Sequence, residues 1–130
     1  MTAGLHAVNL GNPYLNVLRG TNITAPGSVF VKLHTGDPGS AGTSNASANT
    51  TRPAITWAAA AAGSMAMNGT APSWLAWASG TETITHVSLW DNATAGNFLA
   101  SAALAASKLV NNTDNLALAT FGVSVTPIAA

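Results

Sequence analysis

Thr83-Ile84-Thr85-His86-Val87-Ser88-Leu89-Trp90-Asp91 and, earlier in the chain, Lys32-Leu33-His34-Thr35-Gly36-Asp37-Pro38-Gly39 decide the fold. Each reads as a strand running straight into a polar turn. The Thr83–Asp91 stretch is dense in β-branched residues and closes on an aromatic ring, the composition of a strong strand. The earlier strand begins at Val29 and places Val29, Val31 and Leu33 on one face by period-two alternation. Pro26-Gly27 and Gly36-Asp37-Pro38-Gly39 bracket it with turn punctuation.

Working outward, Asp91-Asn92-Ala93-Thr94-Ala95-Gly96-Asn97 reads as a hairpin loop, with residues 97–106 returning as the partner strand. Lys108-Leu109-Val110 leads into the polar turn Asn111–Asn115. Residues 116–125 close the fold, with Leu116 and Leu118, then Phe121, Val123 and Val125, spaced two apart. Residues 54–58 and 64–68 read as two further strands. The alanine run 58–62 is too short for a helix and ends at Gly63, so strand and turn are expected there. Trp74 and Trp77 are three apart, which breaks period two and predicts a bulge or an irregular crossing between them. Residues 36–51 form a long loop of Gly, Ser, Asn, Thr and Ala, expected to be functional or laid on a neighbour. Regular strands separated by turns predict an all-β fold, an antiparallel β-sandwich or partly open barrel.

The N-terminal part differs. Residues 1–11 read as an irregular arm. Asn12-Pro13 predicts a helix start with Asn12 as the N-cap, and Gly20 predicts its stop. A two-turn helix is too short to be stable alone and must dock on something. The expected organisation is therefore a single domain: residues 1–28 as arm and short helix, residues 29–130 as the β-domain.

The chain has 130 residues, enough for one modest core. It carries four basic and four acidic side chains, 6% of the sequence against about 25% in ordinary domains. Such a surface, built from Ser, Thr, Asn, Gly and Ala, loses little hydration free energy when a neighbour covers it. It predicts a subunit that works in contact with copies of itself or with other subunits. No Lys/Arg cluster exists, which argues against nucleic-acid binding. No long apolar run exists, so no membrane span is expected, and the first residues carry no signal-peptide pattern. Cysteine is absent, which excludes disulfides and thiolate metal sites.

Candidate sites are few. His34 and His86, each followed by a turn holding an acid (Asp37, Asp91), are the first candidates for a metal or acid–base pair. The alternative is that each histidine bonds a backbone group at the sheet rim. Gly36, Asp37, Pro38 and Gly39 read as a turn builder, as do Asp91 and Gly96. Trp57, Trp74, Trp77 and Trp90 are either the bulky core of an alanine-rich protein or a stacking face for a glycan. No serine-hydrolase elbow and no phosphate-binding loop occurs. Six Asn-x-Ser/Thr sequons, at Asn22, Asn45, Asn49, Asn68, Asn92 and Asn111, follow from Asn- and Thr-rich loops. No catalytic residue, cofactor or metal is expected.

The stretch from Val31 to Arg52, with Leu33-His34-Thr35-Gly36-Asp37-Pro38-Gly39 at its head, resembles a family of small tailed-phage structural proteins. So does Ile84–Asp91 followed by Gly96-Asn97-Phe98-Leu99. The resemblance spans about residues 29–125. It implies a minor tail or tail-fibre protein, of the type many actinobacterial phages carry; some similar proteins decorate capsids. It implies a virion component assembled in the host cytoplasm, with no catalytic residues. The expected partners are the chain itself, as a homo-oligomer, and other virion subunits. A carbohydrate-binding module, with a host glycan as ligand, is the reading from another class.

Overall fold

The computed structural model describes residues 4–125. Among these described residues, eight strands follow a short helix: α1 (Asn12–Val17), β1 (Val29–His34), β2 (Ala54–Trp57), β3 (Ser64–Asn68), β4 (Ser73–Trp74), β5 (Glu82–Trp90), β6 (Phe98–Val110), β7 (Leu116–Ala117) and β8 (Gly122–Ser124). Six of them form one antiparallel sheet in the order β6-β5-β1-β2-β3-β8, curled as a half-barrel; β4 and β7 form a small second sheet. The fold is thus all-β with a short N-terminal helix, on the partly open barrel side of the expectation.

The two stretches that open the sequence analysis lie side by side at the centre. Val31 pairs with Leu89, Leu33 with Val87, and His34 with His86. This register puts Val31, Leu33, Val87 and Leu89 on one face, where they join Ile55, Trp74, Trp77 and Ile84 in the core. Val87, Ser88, Leu89 and Trp90 are nevertheless all buried, so the opposite face of β5 is covered too. Its cover is the 36–51 loop, which folds back on its own sheet. Ser47 N–H donates to Leu33 O (3.0 Å) and Thr35 N–H to Asn45 O (2.8 Å). Glu82 accepts from Ser47 Oγ (2.6 Å) and from the Ala48 N–H (3.0 Å), tying the loop to β5.

Four details differ from the sequence expectation. Asn12 is not the N-cap. Residues 7–11 already form one π-helical turn, capped by His6 Nδ1 accepting from Asn9 N–H (3.1 Å), and Asn12 is the first residue of α1. The arm is not irregular from residue 4 onward: Leu5 bridges Ala100, with His6 N–H on Leu99 O (2.7 Å) and Ser101 N–H on Gly4 O (2.9 Å), so it lines the edge of β6. Residues 1–3 lie outside the described residues. β6 runs on through Lys108-Leu109-Val110, which the sequence reading left outside the strand. Finally, the closing strand is two. β7 pairs with β4 and β8 with β3, in different sheets. The three-residue step between Leu118 and Phe121 marks the crossing, where Leu118 N–H reaches Pro72 O and Met67 N–H reaches Phe121 O.

Gly42 shows how tightly the loop is seated. It has φ +69°, and a Cβ there would stand 2.5 Å from Phe98 Cδ2. Gly42→Ala is therefore expected to destabilise by about 2–4 kcal/mol, combining left-handed strain with overpacking. Gly27→Ala, with open space around it and no positive φ, should be near neutral. Urea denaturation of both variants checks this; equal midpoints would refute the packing of the loop on Phe98.

Candidate functional site

The polar face of the central strands holds a continuous hydrogen-bond chain. Trp90 Nε1–H donates to Ser88 Oγ (2.8 Å), Ser88 Oγ bonds His34 Nε2 (2.8 Å), and His34 Nδ1 bonds Ser44 O (2.9 Å). A carbonyl only accepts, so Nδ1 carries the proton. Nε2 of the neutral ring then accepts from the Ser88 hydroxyl. Every donor and acceptor in the chain is used once, and the imidazole is neutral. Burial drives the His34 pKa down from 6.5 to about 4, against an opposing bond from the Ser44 carbonyl and with help from the Lys32 charge.

His34 and His86 are direct partners across β1 and β5, yet they do not form a ligand set. His86 Nδ1 bonds Thr85 Oγ1 (2.8 Å) instead. Among the described residues no cluster of three or more His, Cys, Asp or Glu is placed to hold a metal ion. Asp37 Oδ1 accepts from Gly39 N–H (2.8 Å), which holds its carboxyl below the ordinary range, and Gly39 has φ +73°. Pro38 is fully buried, and Gly36 faces Asn45, whose side-chain N–H reaches Asp37 O (2.9 Å). Asp91 grips its hairpin through Asn97 N–H and Nδ2 (both 2.7 Å), around Gly96 at φ +79°.

Of the four tryptophans, Trp74 (2% exposed) and Trp77 (1%) lie in the core, their indole N–H groups satisfied by Thr51 O (2.9 Å) and Gly80 O (2.8 Å). Neither ring offers a face to a sugar. Trp57 is half-buried beside Phe121. Trp90 is buried on the other side of the sheet, stacked under the Arg52 guanidinium (4.2 Å) and beside Phe98 (5.7 Å). Arg52 also donates to Ala95 O (2.8 Å), so one cation clamps the β5–β6 hairpin onto the ring. Sequence reasoning missed both clusters around Trp90. The available signal was the spacing of Ser88 and Trp90, which puts them on one face.

Two apolar features stand out among the described residues. One is the outer side of the π-turn and α1, where Val8, Tyr14, Leu15, Val17 and Leu18 are exposed and no residue of either element is buried. The other is an open groove of about 450 Å³ with Leu33, Trp74, Ile84 and Val87 at its base and Leu104 and Leu116 beside them. Two irregularities frame it. Ile84 pairs with Lys108 and His86 with Ala103, so Leu104–Ser107 stand opposite Thr85 alone and bulge out of the ladder. Across from them, residues 118–120 leave the sheet between β7 and β8.

The sequence was compared with known proteins. The model of the family described as podophage GP4 fiber I protein gp80 matches residues 7–126. No curated protein matches the chain.

The His34 chain makes a pH prediction. The ring binds a proton more weakly folded than unfolded, so stability is full above about pH 6.5 and is lost as pH falls toward about 4. Thermal melts across that window should show a falling midpoint for the natural chain. His34→Asn should be less stable at neutral pH, with a flatter profile from pH 6.5 to 4. An unchanged slope in the variant would assign the effect elsewhere.

Proposed function

The chain belongs to this podophage fibre family, and from that premise we propose that it is a minor tail protein that assembles through neutral surfaces, with itself and with neighbouring tail subunits. A phage fibre structural protein is a virion component; its assembly in the host cytoplasm is part of this proposal. The observation that carries the assembly reading is the combination of family and charge. Only 6% of residues are charged, and the four acids serve turns and loops: Asp37, Asp91, Asp114 and Glu82 all accept bonds from nearby backbone N–H groups. Apart from a few exposed charges such as Arg19, Lys108 and Asp114, the outward surface is hydroxyl, amide and methyl, which a neighbour covers with little stripping of water from ions. The role proposed is non-enzymatic. The glycan reading loses its main support because Trp74 and Trp77 point inward.

Light scattering across a concentration series should give a stable multiple of the 13.0 kDa chain mass. That multiple should persist in about 1 M salt, where the screening length falls to about 3 Å. Dissociation by salt would mean that charges hold the assembly. A monomer at every concentration would remove the homo-oligomer reading.

A further inference from the structure

We infer that Asn68 is a site of spontaneous modification, where the Gly69 backbone nitrogen closes on the Asn68 side chain and the amide becomes a carboxylate. The inference does not depend on the assembly reading above. Three observations carry it.

The first is that Asn68 combines an untied side-chain amide with a following glycine. The chain has twelve asparagines, all within the described residues. Nine of them hold a side-chain hydrogen bond, which fixes the amide on a turn or a neighbouring segment. The other three are Asn12, Asn22 and Asn68. Asn12 precedes Pro13, whose nitrogen has no hydrogen to give up. Asn22 precedes Ile23, whose branched side chain crowds its own nitrogen. Asn68 precedes Gly69, which has no side chain, and both residues are exposed.

The second is that the fold requires the glycine. Gly69 carries the chain out of β3 at φ +70°, and a Cβ there would stand 2.9 Å from Thr56 Oγ1. Any other residue would be strained in that conformation. The turn that ends β3 thus fixes the reactive dipeptide in place.

The third is a donor on the right oxygen. Thr56 pairs with Asn68 across β2 and β3, and its Oγ1–H donates to Asn68 O (2.5 Å). That carbonyl belongs to the peptide whose nitrogen must lose its proton. Negative charge develops on Asn68 O as the proton leaves, and a hydroxyl already aimed there stabilises it, as a donor in an oxyanion site does.

The step balances with water as the co-reactant. Gly69 N gives its proton to solvent base, and its electron pair forms the N–Cγ bond. The Cγ–Nδ2 bond breaks, and Nδ2 leaves as ammonia. Water then opens the cyclic imide. Attack at Cγ gives aspartate; attack at the main-chain carbonyl gives isoaspartate, with the chain running through the side-chain carbons. Either product adds one negative charge to a chain whose formal net charge is zero.

The test incubates the folded full chain in heavy-oxygen water at mildly alkaline pH, followed by peptide mapping with mass spectrometry. Asn68 should convert before every other asparagine, to a mixture of aspartate and isoaspartate carrying one heavy oxygen. Earlier conversion of another asparagine overturns the assignment. Thr56→Val should slow the conversion by about threefold to tenfold, the rate equivalent of one hydrogen bond to a developing charge. Thr56→Ser, which keeps the hydroxyl, should restore it. A loosened ladder would free the dipeptide and speed the reaction, so loss of folding cannot imitate the slowing; circular dichroism checks the fold of both variants. Equal rates in Thr56→Val and the natural chain overturn the part given to Thr56. In isoelectric focusing the natural chain should gain an acidic band that Asn68→Gln lacks, and the same band in that variant overturns the site.

Discussion

The chain of hydrogen bonds from Trp90 through Ser88 and His34 to Ser44 is the constraint on which the rest of the structure depends. It crosses from β5 to β1 and on to the 36–51 loop, so one neutral imidazole fixes three segments distant in sequence. A buried polar group is costly unless each of its partners is in place. Here the cost of leaving His34 unpaired enforces the position of Ser44, and with it the fold of the loop. The loop in turn places Gly42 against Phe98 and Ser47 against Glu82. Phe98 closes the sequence of contacts by stacking on Trp90 and meeting His6 of the arm.

Few charges take part in this arrangement. In a protein with four cations and four acids, Arg52, Glu82 and Asp91 act through local bonds and ring contacts. Arg52 lies on an indole face and on hairpin carbonyls; Glu82 and Asp91 collect N–H and O–H donors. Exposed ion pairs contribute little to stability in any case. Removing them costs the fold little and leaves an outer surface from which water is easily displaced. Stability and the proposed assembly thus draw on one compositional choice.

Much of the fold was legible because period-two patterns with strong turn residues are local. β1, β5 and the Asp91–Gly96 hairpin are set by residues within a few positions of each other. The Asp37–Gly39 turn is legible for the same reason, since its bond spans two residues. What was not legible is non-local. Nothing beside Leu5 in sequence announces Ala100 as its partner, and the arm is ordered only because β6 offers an unpaired edge. The split of the closing strand was half-visible: the phase change between Leu118 and Phe121 was present, but that Trp74 draws β7 into a second sheet depends on the tertiary arrangement. The groove was invisible, because a bulge of Leu104–Ser107 against Thr85 leaves no mark on a run of small apolar residues.

The two apolar features follow from the same physics. Ordinary monomers expose single apolar residues without consequence, while gathered ones mark interaction sites. Tyr14, Leu15 and Leu18 are gathered, on the one element whose own propensity is insufficient to hold it. The groove exists because the two strands that could close over it depart from the ladder at facing positions. The sheet that His34 locks on one face thus carries the apolar core on the other. A charge-poor surface and an exposed apolar helix are the features on which the proposed assembly reading rests.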